Sequence, residues 1–157
     1  MHKDHRDFIL SFNANNVEYL VVGGHAVSAH SEPRGTKDLD IFIRASAENS
    51  RAVFKALAEF GAPLVGVSPD DFNDKAATIF QFGVEPGRVD VIQGIAGVKF
   101  DDAWKNRVEM TLDKDLPAHV ISREHLIQNK LAVGRYQDLA DVERLRAAER
   151  ATRPKSS

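Results

Sequence analysis

The sequence predicts an α+β fold: a mixed β-sheet flanked by helices, closed by a C-terminal helical pair. Three observations predict it. Helix-periodic segments and short apolar runs alternate in the order helix, strand, helix, strand, helix, several strands, then two helices. Glycine, proline and asparagine signals mark most of the passages between them. The chain has 157 residues, 43% of them apolar, with no internal repeat or long linker, which suits one core. Residues 1–150 read as one domain and residues 151–157 as a polar tail.

Each element has a local reason. Phe8, Ile9 and Phe12 recur at helical spacing over residues 3–14, and Asn13-Ala14-Asn15-Asn16 stops that helix. Tyr19 to Val22 is a short buried strand, broken by Gly23-Gly24. Ala26 to His30 forms a small-residue helix, and Ser31 to Lys37 is a polar loop. Leu39 to Ile43 is the second strand. Ser46 caps a helix through Phe60 that buries Val53, Phe54, Leu57 and Phe60, and Gly61 ends it. Ser68 to Phe72 reads as a loop or short helical turn. Thr78 to Phe82 and Arg88 to Ile92 are strands around a Glu85-Pro86-Gly87 turn. A short helix covers Phe100 to Arg107. Val108 to Leu112 and Ala118 to Ile121 form a hairpin around Asp113-Lys114-Asp115. Ser122 with Glu124 starts a helix through Val133; Gly134 separates it from a last helix over Tyr136 to Arg150.

Bulk properties exclude several classes. No apolar run approaches the ~20 residues of a membrane span. The charged N-terminus, Met1-His2-Lys3-Asp4-His5-Arg6-Asp7, is unlike a signal peptide, and a cytoplasmic protein is the simplest expectation. With no cysteine there is no disulfide and no thiolate metal site. A net charge of -2 argues against a broad nucleic-acid-coating surface, though not against contact with one end of a structured RNA.

The chemistry concentrates in two runs, Val22-Gly23-Gly24-His25-Ala26-Val27 and Arg34-Gly35-Thr36-Lys37-Asp38-Leu39-Asp40-Ile41. Side chains alternate along a strand, so Asp38 and Asp40 share a face, roughly 7 Å apart along the backbone. Such a pair suits two divalent cations about 3.5–4 Å apart. The neighbouring glycine turn offers backbone N–H groups to phosphates. Asp90, inside the apolar run Val89-Asp90-Val91-Ile92, is costly to bury unless it is paired or bound to metal. If its strand lies beside residues 39–43, three carboxylates meet. They would raise one another's pKa, and Mg²⁺ would relieve the repulsion.

Gly23-Gly24, the Arg34-x-Thr36-x-Asp38-x-Asp40 run and the distal Asp90 resemble the nucleotidyltransferase superfamily of DNA polymerase β-type fold. The C-terminal runs Ile121-Ser122-Arg123-Glu124-His125-Leu126-Ile127-x-x-Lys130-Leu131-Ala132 and Gly134-Arg135-x-x-Asp138-Leu139-Ala140-Asp141 are similar to small bacterial members. That group includes the toxins of toxin–antitoxin and abortive-infection systems. The resemblance covers roughly residues 17–145 and implies transfer of an NMP from an NTP to a hydroxyl. Mg²⁺ or Mn²⁺ would be held by Asp38, Asp40 and Asp90, the three catalytic positions, with Asp90 also a local base. Gly23, Gly24, Arg34, Thr36 and Lys130 would contact the nucleotide, and Arg135 and Asp138 would orient Lys130 or join the helix pair. The acceptor is open: a tRNA 3′ end, a protein or a small molecule. A cognate toxin–antitoxin partner belongs to the same implication. The chain departs from many relatives in carrying Gly24 where they have serine, and in leaving little room for a separate acceptor-recognition domain.

Plainer readings stand beside these. Gly23-Gly24 can be a simple turn, Asp38 and Asp40 a solvated edge, and Asp90 the ion-pair partner of Arg88 or Arg34. Lys130 can be an exposed helix residue. Arg135, Asp138 and Asp141 read more simply as caps and salt bridges, His25 and His30 as structural, and His2 and His5 as solvated. Phe72, Phe100 and Trp104 read as core, and the basic C-terminus around Arg144, Arg146 and Arg150 as a solvated face. A catalytically silent partner-binding protein of the same fold is the competing function. An antibiotic-modifying nucleotidyltransferase ranks behind it, for want of an acceptor domain.

Overall fold

A computed structural model describes residues 1–33, 35, 38–74 and 78–152. Its elements are helix α1 (Lys3–Ala14), strand β1 (Tyr19–Val22), helix α2 (Gly23–His30), strand β2 (Leu39–Ile43) and helix α3 (Ala47–Phe60). After these come a 3₁₀ turn (Pro69–Phe72), strands β3 (Phe80–Phe82) and β4 (Val89–Ile92), and helix α4 (Phe100–Lys105). Strands β5 (Val108–Leu112) and β6 (Leu116–Val120) and helices α5 (Arg123–Val133) and α6 (Tyr136–Thr152) complete the described chain.

The six strands form one mixed sheet in the order β3-β4-β2-β1-β6-β5. β1 and β2 run antiparallel, β2 and β4 parallel, and β1 and β6 parallel. The two central strands are the most apolar. All of β1 is buried, as are Leu39, Ile41, Phe42 and Ile43 of β2. Alternation sends Leu39, Ile41, Val89 and Val91 to one face, and Asp40, Phe42, Asp90 and Ile92 to the other. Phe8, Phe12, Val53 and Leu57 add the apolar stripes of α1 and α3 to the core. Ser46 Oγ accepts from Asn49 N at the start of α3, and Gly61 ends that helix with φ 94°.

Several boundaries move, each for a visible reason. β3 begins at Phe80 because the carbonyl of Thr78 accepts from the Gln93 side-chain amide at 3.3 Å, not from a neighbouring strand. β6 begins at Leu116, ahead of the expected Ala118. Pro117 is tolerated there, and its carbonyl accepts from Asn13 Nδ2 at 2.7 Å. α4 stops at Lys105, and Arg107 leaves it to lie over the Trp104 ring at 3.8 Å. α2 starts at Gly23 itself, and α6 runs on to Thr152.

Candidate active site

The parallel pairing of β2 and β4 sets Asp40 directly opposite Asp90. Neighbours at one register position of a parallel pair share a face. Asp38, two residues before Asp40, joins them through a common partner: Arg88 Nη2 lies 3.5 Å from Asp38 Oδ2 and 3.0 Å from Asp90 Oδ2. The three predicted carboxylates therefore converge at the N-terminal ends of two adjacent strands.

Antiparallel pairing places Val22 opposite Asp40, so the next residue, Gly23, meets the carboxylate. Gly23 has φ 64°, and a Cβ there would lie 3.0 Å from Asp40 Cγ and closer still to Oδ2. The glycine is thus required twice, by its backbone conformation and by the space Asp40 fills. α2 follows with no side-chain cap on its first turn, and the positive end of its dipole stands beside Asp40.

The electrostatics are those of crowded anions. Burial pushes the Asp40 carboxyl up to about 7, the charges of Asp90 and Asp38 push the same way, and Lys130 and Arg88 oppose them. Arg88 forks onto Asp90, with Nε and Nη2 each 3.0 Å from a carboxylate oxygen. Asp38 Oδ1 is buried with no hydrogen-bond partner among the described residues.

Lys130 is not the exposed residue of the plainer reading. Its side chain is 11% exposed, and Nζ sits 3.3 Å from Asp138 Oδ1 and 3.1 Å from Asp141 Oδ2. Asp138 also accepts from Arg135 N and Nε, and its carboxyl is held below the usual range, most of all by the Arg135 hydrogen bond. Arg135, Asp138 and Asp141 thus act as cap and salt bridge, and two of them hold Lys130 where its charge reaches Asp40. The assignments to Arg34 and Thr36 lie outside the described residues.

His5 corrects the sequence reading. Expected in solvent, it is 1% exposed. Its Nε2 donates to the Arg88 carbonyl at 3.0 Å, and its ring meets His25 edge-on, with centroids 5.2 Å apart. Burial lowers the pKa of both, that of His25 to about 4, so the pair is neutral near pH 7. The polar Lys3–Arg6 stretch hid this, because only the tertiary fold brings α1 to the start of β4. His30 is structural as expected, donating to the Ile121 carbonyl at 2.7 Å. Phe72 is core, while Phe100 and Trp104 pack at its margin.

Three carboxylates, one with an unpartnered oxygen and one whose ionisation is suppressed, are hard donors of the kind Mg²⁺ takes. As arranged around Arg88, however, no three His, Asp or Glu side chains among the described residues are placed to hold a metal ion. The donor set fits a divalent cation in kind, and Arg88 currently spans two of its members. No helix among the described residues is long and apolar enough to cross a membrane.

Residues 5–151 match the model of a family described as nucleotidyltransferases of unknown function (DUF6036). No curated protein matches the sequence. Two solved structures resemble the fold. One is the lincosamide antibiotic adenylyltransferase LnuA with lincomycin bound, 15% identical, with a TM-score of 0.62 over 94% of this chain and 98% of that one. The other is the antibiotic-resistance factor ANT(2'')-Ia in solution, 16% identical, with a TM-score of 0.55 over 96% and 94%.

Proposed function

Because this chain belongs to the DUF6036 family of nucleotidyltransferases, we propose that it transfers an NMP from an NTP to a hydroxyl through Asp38, Asp40 and Asp90: the acceptor oxygen bonds to the α-phosphorus, the α–β phosphoanhydride breaks, and pyrophosphate leaves. The observation that carries this reading is the register of β2 and β4, which puts Asp40 opposite Asp90, with Asp38 joined to Asp90 through Arg88. A divalent ion bound there would neutralise triphosphate charge and lower the pKa of the attacking hydroxyl. Asp38 and Asp40 would hold it beside the phosphates, and Asp90 would orient or deprotonate the acceptor. Gly23 leaves room for Asp40, and with Gly24 it brings the uncapped start of α2 within reach of phosphate oxygens. Lys130, preset by Asp138 and Asp141, adds positive charge that reaches Asp40.

For the acceptor, a small hydroxylated molecule is favoured over tRNA or a protein. Both structural neighbours carry antibiotic names and are matched over nearly their whole chains. A toxin–antitoxin role rests on the C-terminal resemblance alone.

The test is transfer of label from each α-labelled NTP, with Mg²⁺ or Mn²⁺, to separate pools of lincosamides and other hydroxylated antibiotics, tRNA, or cell protein. Transfer to the small-molecule pool, lost by at least about a hundredfold in Asp40→Asn and Asp90→Asn, is the expected result. Label appearing only in tRNA or protein reassigns the acceptor. No transfer and no nucleotide binding in any arm would leave the fold as a partner-binding module.

A further inference from the structure

We propose that Arg88 is the resident counter-cation of the carboxylate cluster. It holds Asp38 and Asp90 in the ion-free protein and must release them for a divalent ion to load, so it sets the ion concentration at which the site fills. This inference rests on the reading of Asp38, Asp40 and Asp90 as a cation site.

Four observations support it. The guanidinium is permanently charged and spends its fork on Asp90, with Nε and Nη2 each at 3.0 Å. The same Nη2 stands 3.5 Å from Asp38 Oδ2, so one group spans two of the three carboxylates. The Arg88 backbone is fixed independently of its side chain: its carbonyl accepts from Leu39 N at 3.1 Å and from His5 Nε2 at 3.0 Å. The guanidinium can therefore leave without loosening the strand that carries Asp90. An alternative seat exists, since Glu85 Oε1 is 4.0 Å from Nη1, and the Arg88 side chain is 32% exposed.

A staple that merely joined β4 to β2 would make the opposite prediction. Removing a staple loosens the cluster and weakens ion binding; removing a competing cation strengthens it. The sign of the change decides.

The experiment titrates Mn²⁺ into the 157-residue protein, first without nucleotide and then with ATP, reading free Mn²⁺ by electron paramagnetic resonance. Arg88→Met should bind Mn²⁺ on the order of tenfold more tightly than the unmodified chain. Arg88→Lys, a point charge that cannot fork across Asp90, should bind a few-fold more tightly. Glu85→Gln, which removes the alternative seat, should bind more weakly. Equal or weaker binding by Arg88→Met, with its circular dichroism and melting curve intact, overturns the proposal. If that variant does not fold, the same result in Arg88→Lys does so. Absence of Mn²⁺ binding in every protein, with and without ATP, instead removes the cation site and the role of Arg88 with it.

Discussion

Gly23 and Asp40 share one space: a single added carbon on the glycine would sit 3.0 Å from the Asp40 carboxyl carbon and overlap its Oδ2. Gly23→Ala therefore meets a left-handed φ and a collision at once. The cost should be about 1–3 kcal/mol of stability, with Asp40 displaced from the position opposite Asp90. Thermal melting and the transfer assay check this: transfer should fall by more than about tenfold even at temperatures where the variant is folded.

Asp40 should make the ion-free protein sensitive to pH. Its folded pKa, about 7, lies above the ordinary carboxylate value, so the native state binds the extra proton. The stabilisation is fully present below about pH 4 and is lost as the pH rises through about 7. Asp40→Asn removes that loss, so the variant should gain on the unmodified chain by up to about 4 kcal/mol between pH 4 and 8, at ~1.4 kcal/mol for each pH unit between the two pKa values. Melting temperatures of both proteins across that range, in chelator, provide the readout; parallel curves would contradict the assignment.

His25 acts in the opposite sense. Its folded pKa of about 4 means that its contribution is present above about pH 6.5 and is lost as the pH falls toward 4. His25→Gln should flatten the acid side of the stability profile while leaving the Asp40 transition in place. Urea midpoints at pH 4.5 and 7.5 separate the two effects.

Lys130 neutralises two buried carboxylates, Asp138 and Asp141, which are 1% and 2% exposed. Lys130→Ala removes the cation that both buried carboxylates share and should cost on the order of 3 kcal/mol. The double variant Lys130→Met, Asp141→Leu should recover much of that stability without recovering nucleotide affinity. Such a split between melting temperature and ATP binding would separate the charge that folds the helix pair from the charge offered to phosphate.

His5 supports the site from behind. His5→Phe keeps the ring packing against His25 but removes the donor to the Arg88 carbonyl. About 1 kcal/mol of stability should be lost. Transfer should fall mainly through kcat, because the start of β4 holds Asp90 and Arg88. An unchanged kcat would confine His5 to packing.

Local patterning determined much of this protein. Helical periodicity named α1 and α3, because burial on one face leaves a period that can be read directly; the Ser122 start and the break at Gly134 named α5 and α6, and apolar runs named the central strands. Gly23, Asp38, Asp40 and Asp90 stood out because glycine turns and carboxylates inside apolar runs are costly without a reason. Only the tertiary structure decided what those carboxylates meet. The order β4-β2-β1 put Asp90 level with Asp40 and placed Arg88 across Asp38, and α1 returned to press His5 onto the back of Arg88. Strand pairing and helix return are long-range choices made by the whole core, and residues distant in sequence carry no local period that records them.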